Sequence, residues 1–437
     1  MKHFRSCLLV VGLIVSAGCS SDSNARSSTS NEPEPMRTEP AITIDDNELP
    51  SSLPTLEITI DDTALQSLDR DPWHAADVAG QFTDETGTRF SVQLNYRGAY
   101  ALQNLIQGGK PGERNWKVKF AKDQPYLGRR EWNFNREPHL RQKLSYDLMK
   151  FAGVRVPSAQ HVLLRVNGQD FGLYLRFEDP DNKAWLKEVF GSAAGDLYKA
   201  ATDFPNETKY FALLTKLGAA DSDYYLHYNK KLNNDGALAG DYSQLRDFID
   251  GLNDTSDDRL DAWFSDNFDT EKFIDYLVVS NFVSNWDSYP QRPKNYWLYA
   301  SPVTGRWIFL PWDMDATFQS GQNGLHEMGD HASIFHEFDH FEGRDPNTLE
   351  GSERPLVRRL MAIERYRQRY IDRYRELSAS ILSPDYLSKR IDRLLEQLSS
   401  VAPSDEAERV KQDSDQIKAF VRAKSDSTNA ELANALP

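Results

Sequence analysis

Three aspartates and an asparagine bracket a short apolar hairpin. Asp287 ends an apolar helical run in "SNWDSYPQRPKN", and Asn295 follows where a strand begins. Asp313 and Asp315 follow the far strand in "FLPWDMDATF". The two ends of a hairpin are neighbours in space, so all four side chains are expected at one edge. If strand geometry persists past Pro311, Asp313 and Asp315 share a face and could hold one hard cation. Mg²⁺ suits such a place, since it takes one or two carboxylates and leaves its other positions to water and phosphate. Phosphoryl transfer asks for this set: one carboxylate to orient the attacking hydroxyl, and an acid with an amide to hold the metal on the phosphates. A cation from a separate strand usually meets the phosphates, and Arg114, Lys117 and Lys119 in "ERNWKVKF" are the candidates. Each residue also has a plain reading. Strand lysines are commonly solvated, and acids after a strand commonly cap loops, so spacing alone leaves both readings open.

The elements that would position these residues follow from periodicity. "LPTLEITI" reads as a first strand and "DDTALQSLD" as a short helix. "VAGQFTDETGTRFSVQLNYRG" reads as two strands about a glycine-containing turn. In "NWKVKF", Trp116, Val118 and Phe120 face one way, and Lys117 and Lys119 the other. "PHLRQKLSYDLMKFAGV" predicts a helix with Leu140, Leu144, Leu148 and Phe151 on one face, stopped by Gly153. "HVLLRVNGQDFGLYLRFED" predicts a hairpin about Asn167-Gly168, with Glu178 closing its second strand. Residues 182–285 read as helical, with Asp269 capping "TEKFIDYLVVSNF" and Phe268 and Phe273 forming a hydrophobic staple. "NYWLYASPVTGRWIFLPWD" returns to strand, and from Pro355 the chain is helical again. The stretch after Pro403 reads as a polar, frayed tail. The layout is α+β, with a strand-rich first half, a helix-rich second half holding one hairpin, and room for a cleft between two lobes.

Composition sets the outer limits. The chain has 437 residues with 39% hydrophobic and 11% aromatic content, enough for a large folded core. A formal net charge of −15 and the lack of any basic run argue against nucleic acid as a partner. Lys2 and Arg5 precede "CLLVVGLIVSAG", a run too short to span a bilayer and fitting the core of a secretory signal. "LIVSAGC" resembles a bacterial lipobox, with Ser16 where leucine is commoner. Residues 1–18 are thus expected to be a lipoprotein signal and Cys19 a lipidated N-terminus, the alternative being an ordinary cut near Ala17. The Ser-, Asn-, Glu- and Pro-rich stretch 19–53 reads as a flexible tether. That places the folded part at a bacterial cell envelope, on a membrane through its anchor, facing the periplasm or the surface. Cys7 and Cys19 are the only cysteines, so a chain cut before Cys19 has no internal disulfide. The histidines His326, His331, His336 and His340 follow the acidic motif. They suggest a loop at the mouth of the cleft, with zinc as the rival reading.

The motifs also run in the order of a known family. "NYRG" (95–98), "NWKVKF" (115–120), "WNFN" (132–135), "LRQKLSYDLMKFAGV" (140–154), "VNGQDFGLYLRFED" (166–179), "NWDSYPQRPKNYWLY" (285–299) and "PWDMDATF" (311–318) resemble the CotH family of spore-coat kinases. The resemblance covers roughly residues 55–410. It implies a two-lobed, atypical protein-kinase-like fold over 54–410, with an N-lobe to about 180, a C-lobe from 181 and a polar tail at 411–437. It implies transfer of the ATP γ-phosphate to protein serine with Mg²⁺ or Mn²⁺, on a serine-rich protein or an envelope component. By motif, Asp287 resembles the catalytic acid, Asn295 and Asp313 the metal ligands with Asp315 beside them, and Glu178 a residue near the adenine. The phosphate cation stays open among Arg114, Lys117 and Lys119, and "ERNWK" departs from the family's lysine-lysine-serine-aromatic start. "SYPQRPK" makes the spacing from Asp287 to Asn295 longer than the family's. Two other classes fit an exported chain: a surface binding or adhesion protein with a degenerate cleft, and an envelope polysaccharide hydrolase using Asp287 and Asp313 as acid and base.

Overall fold

The strands of the first half mostly alternate, and bury an apolar set on one common side. They are β1 (Thr55–Ile60), β2 (Val78–Thr83), β3 (Arg89–Tyr96), β4 (Trp116–Phe120), β5 (Glu131–Asn135), β6 (Ala159–Val166) and β7 (Gln169–Phe177). In the computed structural model they close a barrel in the order β1-β2-β3-β4-β5-β7-β6. The closing pair is parallel, from Thr55 opposite Leu163 to Ile58 opposite Val166. Inside sit Leu56, Ile58, Phe82, Leu94, Trp116, Val118, Phe134 and Tyr174. Phe82 alone meets the rings of Phe90, Phe120, Tyr126 and Phe134. The structure describes residues 52–106, 114–136, 139–200, 211–233, 240–319, 328–336 and 354–435; Cys19, the tether, His326 and His340 lie outside them.

Because strands have period two, filling the barrel leaves Lys117, Glu131, Asn133 and Asn135 on its outer face. The β6–β7 turn is as the sequence predicts, with Asn167 at φ 52° and Gly168 at φ 77°, the left-handed pair of a tight hairpin.

The second half holds more strand than its pattern suggests. β8 (Leu197–Ala200) and β9 (Tyr228–Leu232) join β10 (Tyr296–Ala300) and β11 (Trp307–Pro311) in a four-stranded sheet ordered β11-β10-β8-β9. The expectation of helix throughout 182–285 is corrected there: "LYKA" and "YNKKL" are too short to display alternation, and pairing with β10 makes them strands. Every residue of β10 and β11 is buried. A cluster of Leu175, Phe177, Trp185, Leu197, Trp297, Leu310 and Trp312 joins this sheet to the outer face of β7.

The helices enclose both sheets. α1 (Asp62–Arg70), α2 (Ala99–Ile106), α3 (His139–Phe151) and α4 (Lys183–Phe190) accompany the barrel. Then come α5 (Ser243–Asp254), α6 (Asp257–Asn267), α7 (Thr270–Phe282), α8 (Pro355–Met361), α9 (Glu364–Ser378), α10 (Pro384–Ser399) and α11 (Ser404–Asn434). At α7, Asp269 accepts from the Lys272 N–H and the Phe268 and Phe273 rings lie 5.3 Å apart, the expected cap and staple.

α11 corrects the frayed tail. Val410, Ile417, Phe420 and Val421 are buried along it. Its stripe also contains buried Ser414, Lys424, Ser425 and Thr428, which disguise an inward face as a polar one. Its Glu406 reaches back to the barrel, pairing with Arg136 and accepting from the Leu173 N–H at 3.1 Å. A Cβ at Gly172 (φ 82°) would come within 2.6 Å of both Glu406 oxygens, so the close approach requires glycine.

Candidate active site

The hairpin β10–β11 brings its two flanks together. Tyr296 lies opposite Pro311, and the Trp312 N–H donates to the Asn295 carbonyl at 3.0 Å. Asn295 (φ 56°) and Asp313 (φ 53°) both adopt the left-handed region, which Asn and Asp enter more readily than other non-glycine residues. The strand therefore stops at Pro311, and the alternation expected to put Asp313 and Asp315 on one face does not carry through. The chain turns at Asp313 instead and is tied down beyond it. Arg141 of α3 donates to the Thr317 and Phe318 carbonyls at 2.8 and 2.7 Å, and the Phe318 N–H donates to Val283 at 2.7 Å.

Asp287 is held from three sides. The Asn295 amide donates to its carbonyl at 2.8 Å and to its Oδ2 at 2.9 Å. Lys294 lies 2.9 Å from the same Oδ2, and Arg292 lies 3.5 Å from Oδ1. Oδ1 is buried and accepts no hydrogen bond. Near it, Gln142 of α3 approaches Asp313 Oδ1 at 3.4 Å through Nε2, while its own Oε1 is buried and unbonded.

Charge is unevenly compensated. Burial raises the Asp313 carboxyl; Arg97 opposes the rise and Asp287 adds to it. Burial, then the charges of Asp313 and Asp287, push Asp315 well above the usual carboxylate range. Lys199 stands among these groups, its ammonium 5.3 Å from the Trp297 ring centroid and 5.9 Å from that of Trp312. It forms no ion pair among the described residues, and burial lowers it to about 8. The orphaned Gln142 oxygen beside raised carboxylates fits a divalent cation, and a half-buried lysine without an ion pair fits a phosphate. Asn295, Gln142, Asp313 and Asp315 are the residues that would hold the metal, with Asp287 beside them.

A second acidic group lies on the outer face of the barrel. Oxygens of Glu131, Asp179 and Asp181 lie within 4.8 Å of one another, the one such group of three among the described residues. Lys117 already sits in it, 2.6 Å from Glu131 and 3.5 Å from Asp179. Burial works against Asp179, but Arg97 and Lys117, with Asn133 alongside, hold it down to about 2. Arg97 and Lys199 act on both Asp179 and Asp313, so the two acidic groups share one polar cleft.

Residues 94–428 match the family described as CotH kinase protein. The chain belongs to that family. It is 27% identical over 289 residues to the inner spore coat protein H of Bacillus subtilis (strain 168), covering 65% of this chain and 74% of that one. It is 25% identical over 257 residues to the invasin CotH2 of Rhizopus delemar, covering 53% of this chain and 40% of that one. A HipA, HipB and operator DNA complex from Shewanella oneidensis MR-1 aligns with 70% of this chain and 59% of that one, at 14% identity and a TM-score of 0.28, too loose to carry an argument.

In this CotH chain the cleft gathers Asp287, Asn295, Asp313, Asp315 and, on its barrel side, Lys117. Three other candidates lie elsewhere. Arg114 is committed to Asp69 through two hydrogen bonds of 3.0 and 2.7 Å. Lys119 pairs with Asp77 at 2.7 Å on the surface. Glu178 is buried against Arg129 at 2.5 Å and raised by that burial. His331 is exposed beside Asp330, and no histidine joins a ligand cluster among the described residues. Sequence reasoning missed Arg97, Gln142, Asp179, Lys199 and Lys294. Arg97 stood inside the quoted "NYRG" and Asp179 directly after Glu178. Lys199 had no signal, because its strand was not recognised.

Proposed function

We propose that the cleft is the active site of a protein-kinase-like enzyme of two lobes, the barrel and the helix-rich half, which moves the γ-phosphoryl group of ATP to a protein serine. The observation that carries this reading is Asp287: its Oδ2 is fixed by Asn295 and Lys294, while its Oδ1 is left to accept, beside the raised acids Asp313 and Asp315. Asp313 and Asp315 would hold a Mg²⁺ or Mn²⁺ ion, which would supply charge neutralisation to the phosphates. Asp287 Oδ1 takes the proton of the serine hydroxyl as its oxygen forms the new O–P bond. The bond from the γ-phosphorus to the β–γ bridging oxygen breaks, and its electron pair leaves with ADP. Lys294 and Lys199 offset the charge spread over the phosphoryl oxygens. Family membership supports the reading, as does a geometry that positions groups more than it activates them.

The test is the purified chain with labelled ATP, Mg²⁺ or Mn²⁺ and a serine-rich peptide. Asp287→Asn should lose transfer by about 10³-fold or more while nucleotide binding persists. Equal transfer by the variant would remove Asp287 from the mechanism. Nucleotide binding without turnover in the parent would favour surface binding, the reading suggested by the likeness to the Rhizopus invasin.

The same proposal places the domain at a bacterial envelope through a lipidated Cys19. Cys19→Ala should release the chain into the soluble fraction, and membrane retention after a salt wash would count against the anchor.

A further inference from the structure

We propose that a cavity between α3, α10 and the start of β6 is a second ligand site, built for a compact oxyanion of the phosphate class. The cavity measures about 410 Å³, within the range of small-molecule sites. It opens between α3, α10 and the start of β6 and is lined by Lys143, Tyr146, Asp147, Lys150, Gln160 and Arg390, among others. Lys143 and Arg390 thus share one carboxylate, Asp147. Both oxygens of that carboxylate are spoken for: Lys143 binds Asp147 Oδ1, and Arg390 Nη2 donates to Oδ2 at 2.7 Å.

Arg390 is the second observation. Its residue is 2% exposed, yet its Nε and Nη1 have no acceptor. Its guanidinium also lies over the Phe151 ring, 5.3 Å from the centroid, which fixes its plane. A buried guanidinium with idle donors is costly unless an acceptor arrives, and a planar, always charged group is the one suited to oxyanions. Lys150 adds charge on the rim. The cavity is larger than a phosphate ion, so its remaining wall, including Leu53, Val156 and Pro157, can receive a small organic body. The two sites are neighbours through Tyr146, which lines this cavity, feels the charge of Asp313 and stacks on Phe177 at 6.4 Å, while Phe177 meets Trp312 at 5.4 Å.

The inference does not depend on phosphoryl transfer, and its test reads binding directly. Calorimetry on the full chain without metal uses inorganic phosphate in one arm and glycerol 3-phosphate in the other. Saturable binding is expected. Arg390→Lys keeps a partner for Asp147 but removes the two idle donors, and should weaken binding about tenfold or more. Lys150→Gln, at an exposed position, should weaken it about threefold, and Lys199→Gln in the acidic cleft should leave it unchanged. Tighter binding of the monoester assigns the site to the phosphoryl end of a small molecule; equal binding assigns it to the free ion. No binding up to about 10 mM, unchanged affinity in both Arg390→Lys and Lys150→Gln, or loss only in Lys199→Gln would each overturn the proposal.

Discussion

The two acidic groups of the cleft differ in where their counter-charge comes from. In the group of Glu131, Asp179 and Asp181, Lys117 pairs with the first two, and Arg97 and Lys117 hold Asp179 down, while burial raises Glu131 and Asp181. Asp313 and Asp315 have no such lysine within ion-pair reach among the described residues, and both are raised. Geometry alone would rank the first group as the metal site, because three of its oxygens lie within 4.8 Å of one another. The paired lysine reverses the ranking. A group that carries its own cation gains less from another, whereas one whose carboxylates repel each other with no paired lysine gains most from a cation out of solution.

The largest effect should separate the groups outright. Asp313→Asn, which tolerates the left-handed backbone, should cost about 100-fold in Mg²⁺-dependent nucleotide affinity, and Asp181→Asn less than about threefold. Titration with a fluorescent nucleotide checks this. The opposite order would move the metal to the Lys117 group.

Lys199 sharpens the comparison through pH. It titrates near 8, against 10.5 for a free lysine. Phosphate contact needs the charged form, so nucleotide affinity should fall as pH rises through about 8, and Lys199→Arg should flatten that fall. Stability should respond with the opposite sign. Between pH 8 and 10.5 the unfolded chain binds more protons than the folded one, so the stability contribution of this residue rises with pH. Denaturant unfolding at pH 8 and 9.5 reads the second effect.

A smaller effect concerns folding without metal. Asp315→Asn removes a carboxylate that burial and its neighbours disfavour and should raise the melting temperature by about 2 °C. Asp179→Asn removes an acid that its neighbours favour and should lower it. Added Mg²⁺ should narrow the gap between parent and Asp315→Asn. The smallest effect is Lys119→Ala, a surface pair with Asp77, which should shift stability by less than about 0.5 kcal/mol and leave nucleotide affinity unchanged.

Legibility followed locality. The Asn167-Gly168 turn, the cap at Asp269 and the face of α3 are written within a few residues of themselves, and all are found. The barrel is not, because its closure depends on Thr55–Ile58 meeting Leu163–Val166 across more than a hundred intervening positions. Asp287, Asn295 and Asp313 were legible because one hairpin delivers them together. Arg97, Gln142 and Lys199 come from three separate elements, so no spacing announces them. Glu178 and Asp179 show how narrow the margin is: adjacent strand-end residues point to opposite sides. The motif led to the one that meets Arg129 rather than its neighbour in the cleft.

The seat of Glu406 against Gly172 and Leu173 also bears on how the chain is made. Synthesis runs from the N-terminus, and early segments begin to fold as they emerge. Yet the carboxylate that accepts from the Leu173 N–H belongs to a helix translated more than two hundred residues later. The same helix contacts the segment after the acidic motif through Asp413 and Arg141, and steadies Ser333 and Ile334 through Glu431. Until that last stretch leaves the ribosome, the barrel and the acidic turn lack the brace that this helix adds, so a stop codon near residue 400 would yield a nearly full-length chain that holds its cleft less firmly.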